Sequence, residues 1–331
     1  VAIRRLGAPR DAVVRAAAWI EANANADGGW GDTTDSPSNP STTLLAWAAL
    51  SALAPDSPAL PRAAAWLAGR FGTTEPGAIA HAVLGAYGED RTFSVPILTF
   101  CALAGRLGPG AAAWRGIPQL PFELAAVPRR FYAALRLPVV SYALPALIAI
   151  GLVRHRQAPS RNPVLRSIRD GLVAGVLRLL ETLQPPGGGF LEAAPLTGFV
   201  AVSLAGSGLA GHPVARRARE FLCATQRGDG SWPIDTDLSI WVTTGAAVAL
   251  AGADPDGSIW PATERLALRR WILDRQFRNV HPFTAAAPGG WGWSDRPGAV
   301  PDADDTAGAL LALRALGVPD DETRRAAARG I

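Results

Sequence analysis

Apolar residues recur three and four positions apart along most of this chain, broken at short intervals by Pro and Gly, the pattern of amphipathic helices joined by turns. Helices are predicted over 41–53, 61–71, 77–87 and 93–103, then over 162–183, 195–209, 213–225, 239–251, 262–276 and 303–316, with another from 319 onward. The first follows Pro40, Ser41, Thr42 and Thr43, which read as a helix start. No alternating run of useful length argues for a strand. Paired helices with short connections predict an all-α fold of the α/α-barrel, toroid type.

An internal repeat supports that architecture. Arg217-Ala218, Phe221-Leu222, Gln226, Gly230 and Trp232 define a frame. It recurs as Arg15-Ala16, Trp19-Ile20, Gly28 and Trp30, with Ala24 in place of Gln, and as Leu179-Leu180, Gln184, Gly188 and Phe190. A further copy begins at Trp271-Ile272 with Gln276 and reaches Gly290-Trp291 after an insertion. The aromatic-aliphatic pair is expected to pack inward. The Gln of the last turn is placed to hydrogen-bond the start of the next element, and the Gly-rich turn lets the Trp ring fold back onto that amide. Such a unit staples helices together.

The stretch from Trp114 to Arg161 departs from the repeat. Its greasiest part, Pro138 to Val153, is flanked by Arg129, Arg130, Arg136, Arg154, Arg156 and Arg161 and interrupted by Pro145. It is shorter than the roughly 18–20 residues that span a bilayer. Two readings stand: a buried core helix, or an apolar surface that dips into one face of a membrane while arginines meet its headgroups.

Acidic residues concentrate at the edge of an apolar element in one place, Pro288 to Leu313. Asp302, just after Pro301, reads as an N-cap and Asp305 as the third helical residue, where a carboxylate suits the helix dipole. Asp304 needs another explanation. At about 100° per residue it points roughly 160° away from Asp302, along Ala307, Gly308 and Leu311.

Composition narrows the classes. The chain has 331 residues, 49% of them hydrophobic and 18% charged, enough for two domains or one large toroid. All 32 basic residues are Arg, and they are scattered without interleaved aromatics, so nucleic-acid binding is not expected. Cys101 and Cys223 sit in apolar helical contexts far from metal-ligand spacing and read as buried small hydrophobes of a reducing compartment. No signal peptide or transmembrane run is seen at the start, and the absence of any Met suggests a fragment.

The repeats resemble the QW motifs of the squalene-hopene cyclase family of class II triterpene cyclases. Asp302-Ala303-Asp304-Asp305-Thr306-Ala307 resembles that family's acidic signature, and Gly289-Gly290-Trp291-Gly292-Trp293 stands at the family's distance ahead of it. The resemblance implies two α-barrel domains, β and γ: 1–25 as the first β helix, 26–234 as an inserted γ domain, and 235–331 as the start of a β domain that stops short. Arg329-Gly330-Ile331 resembles the opening of a further repeat.

The implied activity is protonation-initiated cyclisation of a linear, squalene-like polyprene, with no metal and no other cofactor. Asp304 would donate the proton, with Asp302 and Asp305 holding and polarising it. Trp293, Trp114 and Tyr142 match aromatics that line the family's cavity, although packing explains each of them too. The histidine that the family pairs with the acid is assigned to none of His81, His155, His212 or His281. The implied partners are the polyprenyl lipid and a membrane surface, met from the cytoplasmic side as a peripheral, monotopic protein; a homodimer stays open. Val242-Thr243-Thr244-Gly245 departs from the family's Trp-Asp-Thr-Gly, with Trp241 one place displaced, which leaves the substrate's identity open. Two other classes remain. A metal-dependent prenyl enzyme would need a further Asp after Asp304-Asp305, and a non-catalytic repeat scaffold would bind lipid or partner helices.

Overall fold

The computed structural model describes residues 1–135, 144–254, 256, 258–282, 284–317, 321 and 325. It is all-α among these residues and divides into two compact units, Val1–Ile234 and Asp235–Ile331. The first holds α1 (Ala2–Arg5), α2 (Arg10–Ala22), α3 (Pro40–Leu53), α4 (Ala59–Phe71), α5 (Pro76–Tyr87), α6 (Arg91–Leu103), α7 (Arg129–Ala134), α8 (Leu144–Gln157), α9 (Pro163–Leu183), α10 (Ala194–Gly206) and α11 (Pro213–Ala224). The second holds α12 (Ser239–Ala253), α13 (Ala262–Asp274) and α14 (Ala303–Ala315). The predicted helices are all present within one to three residues of their expected ends. The helix expected from 319 falls almost wholly outside the described residues.

In the first unit α10 is the hub, packing on α6, α8, α11 and α1, while α3 packs on α2, α4 and α6. The apolar run at 144–153 settles inside: Ile148, Ala149, Ile150, Leu152 and Val153 of α8 are fully buried. For this part of the chain the core reading is correct, and the reading of it as a membrane-facing surface is not. Pro145 is tolerated because it falls in the first turn of α8, where a helix N–H has no partner to lose. Among the described residues no helix is long and apolar enough to cross a membrane.

The repeats act as staples. Trp30 Nε1 donates to the carbonyl of Ile20 at 2.8 Å, Trp232 Nε1 to Leu222 at 2.7 Å, and Trp291 Nε1 to Ile272 at 2.7 Å. In each case the indole reaches a carbonyl of the last turn of its own repeat's helix, where intrahelical partners run out; Ile272 O also accepts from Arg275 N at 3.1 Å.

The Gln side chains bond their own turn and, instead of the next element expected, the start of the helix of another repeat. Gln184 Nε2 donates to Gly188 O at 2.8 Å and to Val214 O at 3.1 Å, and its Oε1 accepts from Arg217 Nε at 2.7 Å. Gln226 repeats the pattern: its Nε2 donates to Gly230 O and to Ala12 O, and its Oε1 accepts from Arg15. Glycine is required at the turn twice over. Gly188 and Gly230 have φ of +83° and +97°, and a Cβ would lie 2.5 Å and 2.4 Å from the carbonyls of Arg217 and Arg15.

The staples therefore run from the α9 repeat to the α11 repeat and from there to the α2 repeat, tying together residues more than 200 positions apart. One copy escaped the sequence reading. Arg62-Ala63 and Trp66-Leu67 reproduce the head of the frame, and Gly28 approaches Arg62 as Gly230 approaches Arg15. Ala24 offers no amide there, so Arg62 donates instead to the carbonyls of Asn25 and Ala26 at 3.1 and 3.0 Å.

Gln184 is buried and Gln226 only half-buried. Replacing Gln184 by Leu leaves two carbonyls and an arginine unmet, and is expected to lower stability by about 1–3 kcal/mol, the same change at Gln226 by less. Urea unfolding of the two variants beside the parent chain checks the magnitude and the order.

Candidate functional site

The second unit is built around Trp291, which is fully buried among Ala247, Ile272, Leu273, Ala309, Ala312 and Leu313. Its neighbourhood brings two helix starts together. Asp302 N donates to Trp291 O at 3.1 Å at the head of α14, and Ile240 N and Trp241 N both donate to Trp293 O, at 2.9 and 3.1 Å, at the head of α12. The Trp291–Trp293 segment thus supplies acceptors to both helix N-termini. Further along, α12 and α14 pack closely: a Cβ on Gly308 would come within 3.3 Å of Thr244 Oγ1.

The three aspartates occupy different positions on this frame. Asp302 is the N-cap, its Oδ1 accepting from Asp305 N at 2.8 Å. Asp305, the third helical residue, is 3% exposed, and its Oδ1 is buried without a hydrogen-bond partner among the described residues. Burial is the largest force on its carboxyl, followed by the hydrogen bond with Asp302 and the charges of Asp302 and Asp304. Together they push its pKa up to about 7. Asp304 points the other way, into the exposed stripe it shares with Ala307 and Leu311. The helical geometry expected of the three is the geometry found.

Trp293 is half-buried and stands two residues from Trp291, whose backbone pairs with Asp302. Trp114 lies in the first unit, buried at the end of the short 3₁₀ turn Gly110–Trp114. Tyr142 is outside the described residues. The four histidines are dispersed. His155 and His212 pair with Asp170 and Glu181 in the first unit. His281, in the second, faces Ala299 O and Thr284. Cys101 is buried in α6, its thiol pushed up to about 12 by burial, while Cys223 is only half-buried.

Residues 6–176 match the squalene-hopene cyclase N-terminal domain. The chain belongs to the squalene-hopene cyclase family. No curated protein matches it. The matched stretch lies within the first unit of this squalene-hopene cyclase family member, and the aspartates lie beyond it.

Sequence reasoning missed the role of Thr306. Its hydroxyl accepts from Trp291 N at 3.0 Å, directly behind the acid pair. Thr43 makes the same bond to Trp30 N, from the same fourth position of its own helix.

The Asp305 shift carries a sign. Its folded pKa lies above the ordinary value of about 4, so the fold favours the neutral carboxyl. The stability this contributes is complete below about pH 4 and is lost as pH rises through about 7. Asp305→Asn should therefore gain stability relative to the parent chain as pH increases from 4 to 8. Thermal unfolding of both proteins across that range measures the difference, which should be smallest at the acid end.

Proposed function

We propose that the second unit carries the acid of a protonation-initiated polyprene cyclase, in which Asp304 protonates a terminal alkene or epoxide. The observation that supports this most is the division of labour among adjacent carboxyls: one buried and proton-retaining near neutral pH, the next turned outward from the same helical turn. An alkene is a very poor base, so its acid must keep a proton at rest. In this cluster the surroundings hold the proton on Asp305, and Asp304 would draw its proton from that neighbour. In the reaction the Asp304 O–H bond breaks as a C–H bond forms from the alkene's π electrons, which leaves a cation on the neighbouring carbon. Ring closure moves that cation along the chain until a proton is lost or water adds. Asp302 and Asp305 hold and polarise the donor.

The cation must be stabilised without being quenched, and aromatic faces do this at about 0.5–2 kcal/mol per ring. Trp293 is proposed for this role on its position beside the acids. Trp114 and Tyr142 are proposed on family resemblance alone. The α/α-barrel architecture and the division into γ residues 26–234 and β residues 1–25 and 235–331 belong to the same proposal. The cross-chain staples of the first unit support a helical ring there.

Membrane attachment is proposed through the part of the Trp114–Arg161 stretch that precedes the buried run of α8. Leu124, Phe131 and Leu135 are each more than half exposed, and Tyr132 ties their segments together by donating its hydroxyl to Leu124 O at 2.6 Å. A lipid surface would cover such a cluster. Flotation with anionic liposomes should carry the protein, and Phe131→Asp with Leu135→Asp should reduce the floating fraction several-fold. A protein that stays unbound at both low and high salt refutes this attachment.

The catalytic proposal is tested by the Asp304→Asn substitution in the full-length gene product with squalene or a shorter polyprene. Conversion should fall by at least about 10²-fold, the scale of a lost general acid. Retained turnover refutes the assignment, and binding of a polyprene without product by the parent protein favours a scaffold.

A further inference from the structure

Three helices that follow a repeat aromatic begin in the same way. Trp30 N donates to Thr43 Oγ1 at 2.9 Å, Phe190 N to Thr197 Oγ1 at 2.9 Å, and Trp291 N to Thr306 Oγ1 at 3.0 Å. Each threonine is buried and is the fourth residue of its helix, counted from Pro40 in α3, Ala194 in α10 and Ala303 in α14. At two of them the aromatic carbonyl also takes the N-cap N–H, from Asn39 at 2.9 Å and from Asp302 at 3.1 Å. The glycine before the aromatic makes room: a Cβ on Gly29 or Gly290 would lie 2.9 or 3.0 Å from the threonine hydroxyl.

The frame is therefore general to the chain, and the acids are mounted on one copy of it. At α3 the positions of Asp302, Asp304 and Asp305 are held by Asn39, Ser41 and Thr42, which carry no charge. At α14 the N-cap and the fourth residue are both tied to Trp291, whose ring is itself held by Ile272 O. Asp305 sits between those two ties.

We propose that Thr306 and Trp291 are positioning residues for the acid pair, holding Asp302 and Asp305 at the short separation and in the dry surroundings on which proton retention depends. The role of the acids themselves rests on the cyclase reading above; their positioning is measured without it. Asp305 faces Asp302 and Asp304 from its own helix, and α12, packed against it, has no ionisable side chain. On α13, Glu264, Arg265, Arg269, Arg270 and Asp274 are not among the groups that shift it.

The test follows the Asp305 carboxyl by carbon NMR of aspartate-labelled protein between pH 4 and 9. Thr306→Val removes the hydroxyl at nearly constant shape, and should move the Asp305 titration down by about one pH unit or more towards the ordinary carboxylate value as the pair loosens and water enters. Thr306→Ser restores the hydroxyl and should titrate like the parent. Thr43→Val breaks the same bond in the first unit and should leave Asp305 unmoved, which separates positioning from general loosening of the fold. Thr306→Ala is used in place of valine if valine prevents folding. An unchanged Asp305 titration in a folded Thr306 variant overturns the proposal, as does an equal shift in Thr43→Val. Since none of these readouts uses turnover, an absence of cyclisation would count against the enzyme reading and leave this one standing.

Discussion

A helix leaves its last carbonyls without partners, and a protein built almost wholly of short helices must satisfy them many times over. This chain does so with side chains carried on the turn that follows. The indole of Trp30, Trp232 or Trp291 closes back onto its own helix end, and the amide of Gln184 or Gln226 reaches across to the helix of another repeat. Each turn thus joins two elements while removing a buried polar defect. The Gly residues with positive φ are what let the chain reverse tightly enough for both contacts to form.

The same device explains which parts of the molecule were legible in sequence. Helix positions followed from local periodicity and Pro/Gly punctuation, and Asp302 and Asp305 followed from capping chemistry, which acts over three residues. The carbonyl that each indole N–H meets was not legible, because a ring and an amide four or more residues apart both sit at the same turn, and only the backbone path decides which carbonyl each meets. The threonine frame was hidden by its spacing. Thirteen, seven and fifteen residues separate the aromatic from its threonine in the three copies, so no fixed register reveals it. Arg62 was missed for the opposite reason: it has the head of the repeat without the tail that made the others recognisable.

Burial was less legible than position. The apolar run before Val153 and the cluster at Leu124, Phe131 and Leu135 have similar composition, yet α8 is enclosed by α10, α9 and α6 while α7 leaves Phe131 exposed. Periodicity assigns a face to a helix. It does not say whether a neighbour will cover that face, and for two apolar segments close in sequence the difference separates core from surface.

At the acid cluster two electrostatic effects oppose each other. The N-terminus of α14 favours an ionised carboxylate, by about 0.3–1 kcal/mol in exposed settings. Burial of Asp305 and the adjacent charges of Asp302 and Asp304 favour the neutral form, and the upward shift to about 7 shows that they prevail. This outcome depends on the turn of the helix. Consecutive residues diverge by about 100°, so the second and third positions of α14 cannot share an environment. The frame that fixes Asp302 to Trp291 then determines which of the two goes inward. With Thr306 held against Trp291, the inward position is that of Asp305, and Asp304 is left facing outward beside it. A proton-retaining carboxyl and an accessible one in a single turn are thus the consequence of where the repeat places its tryptophan.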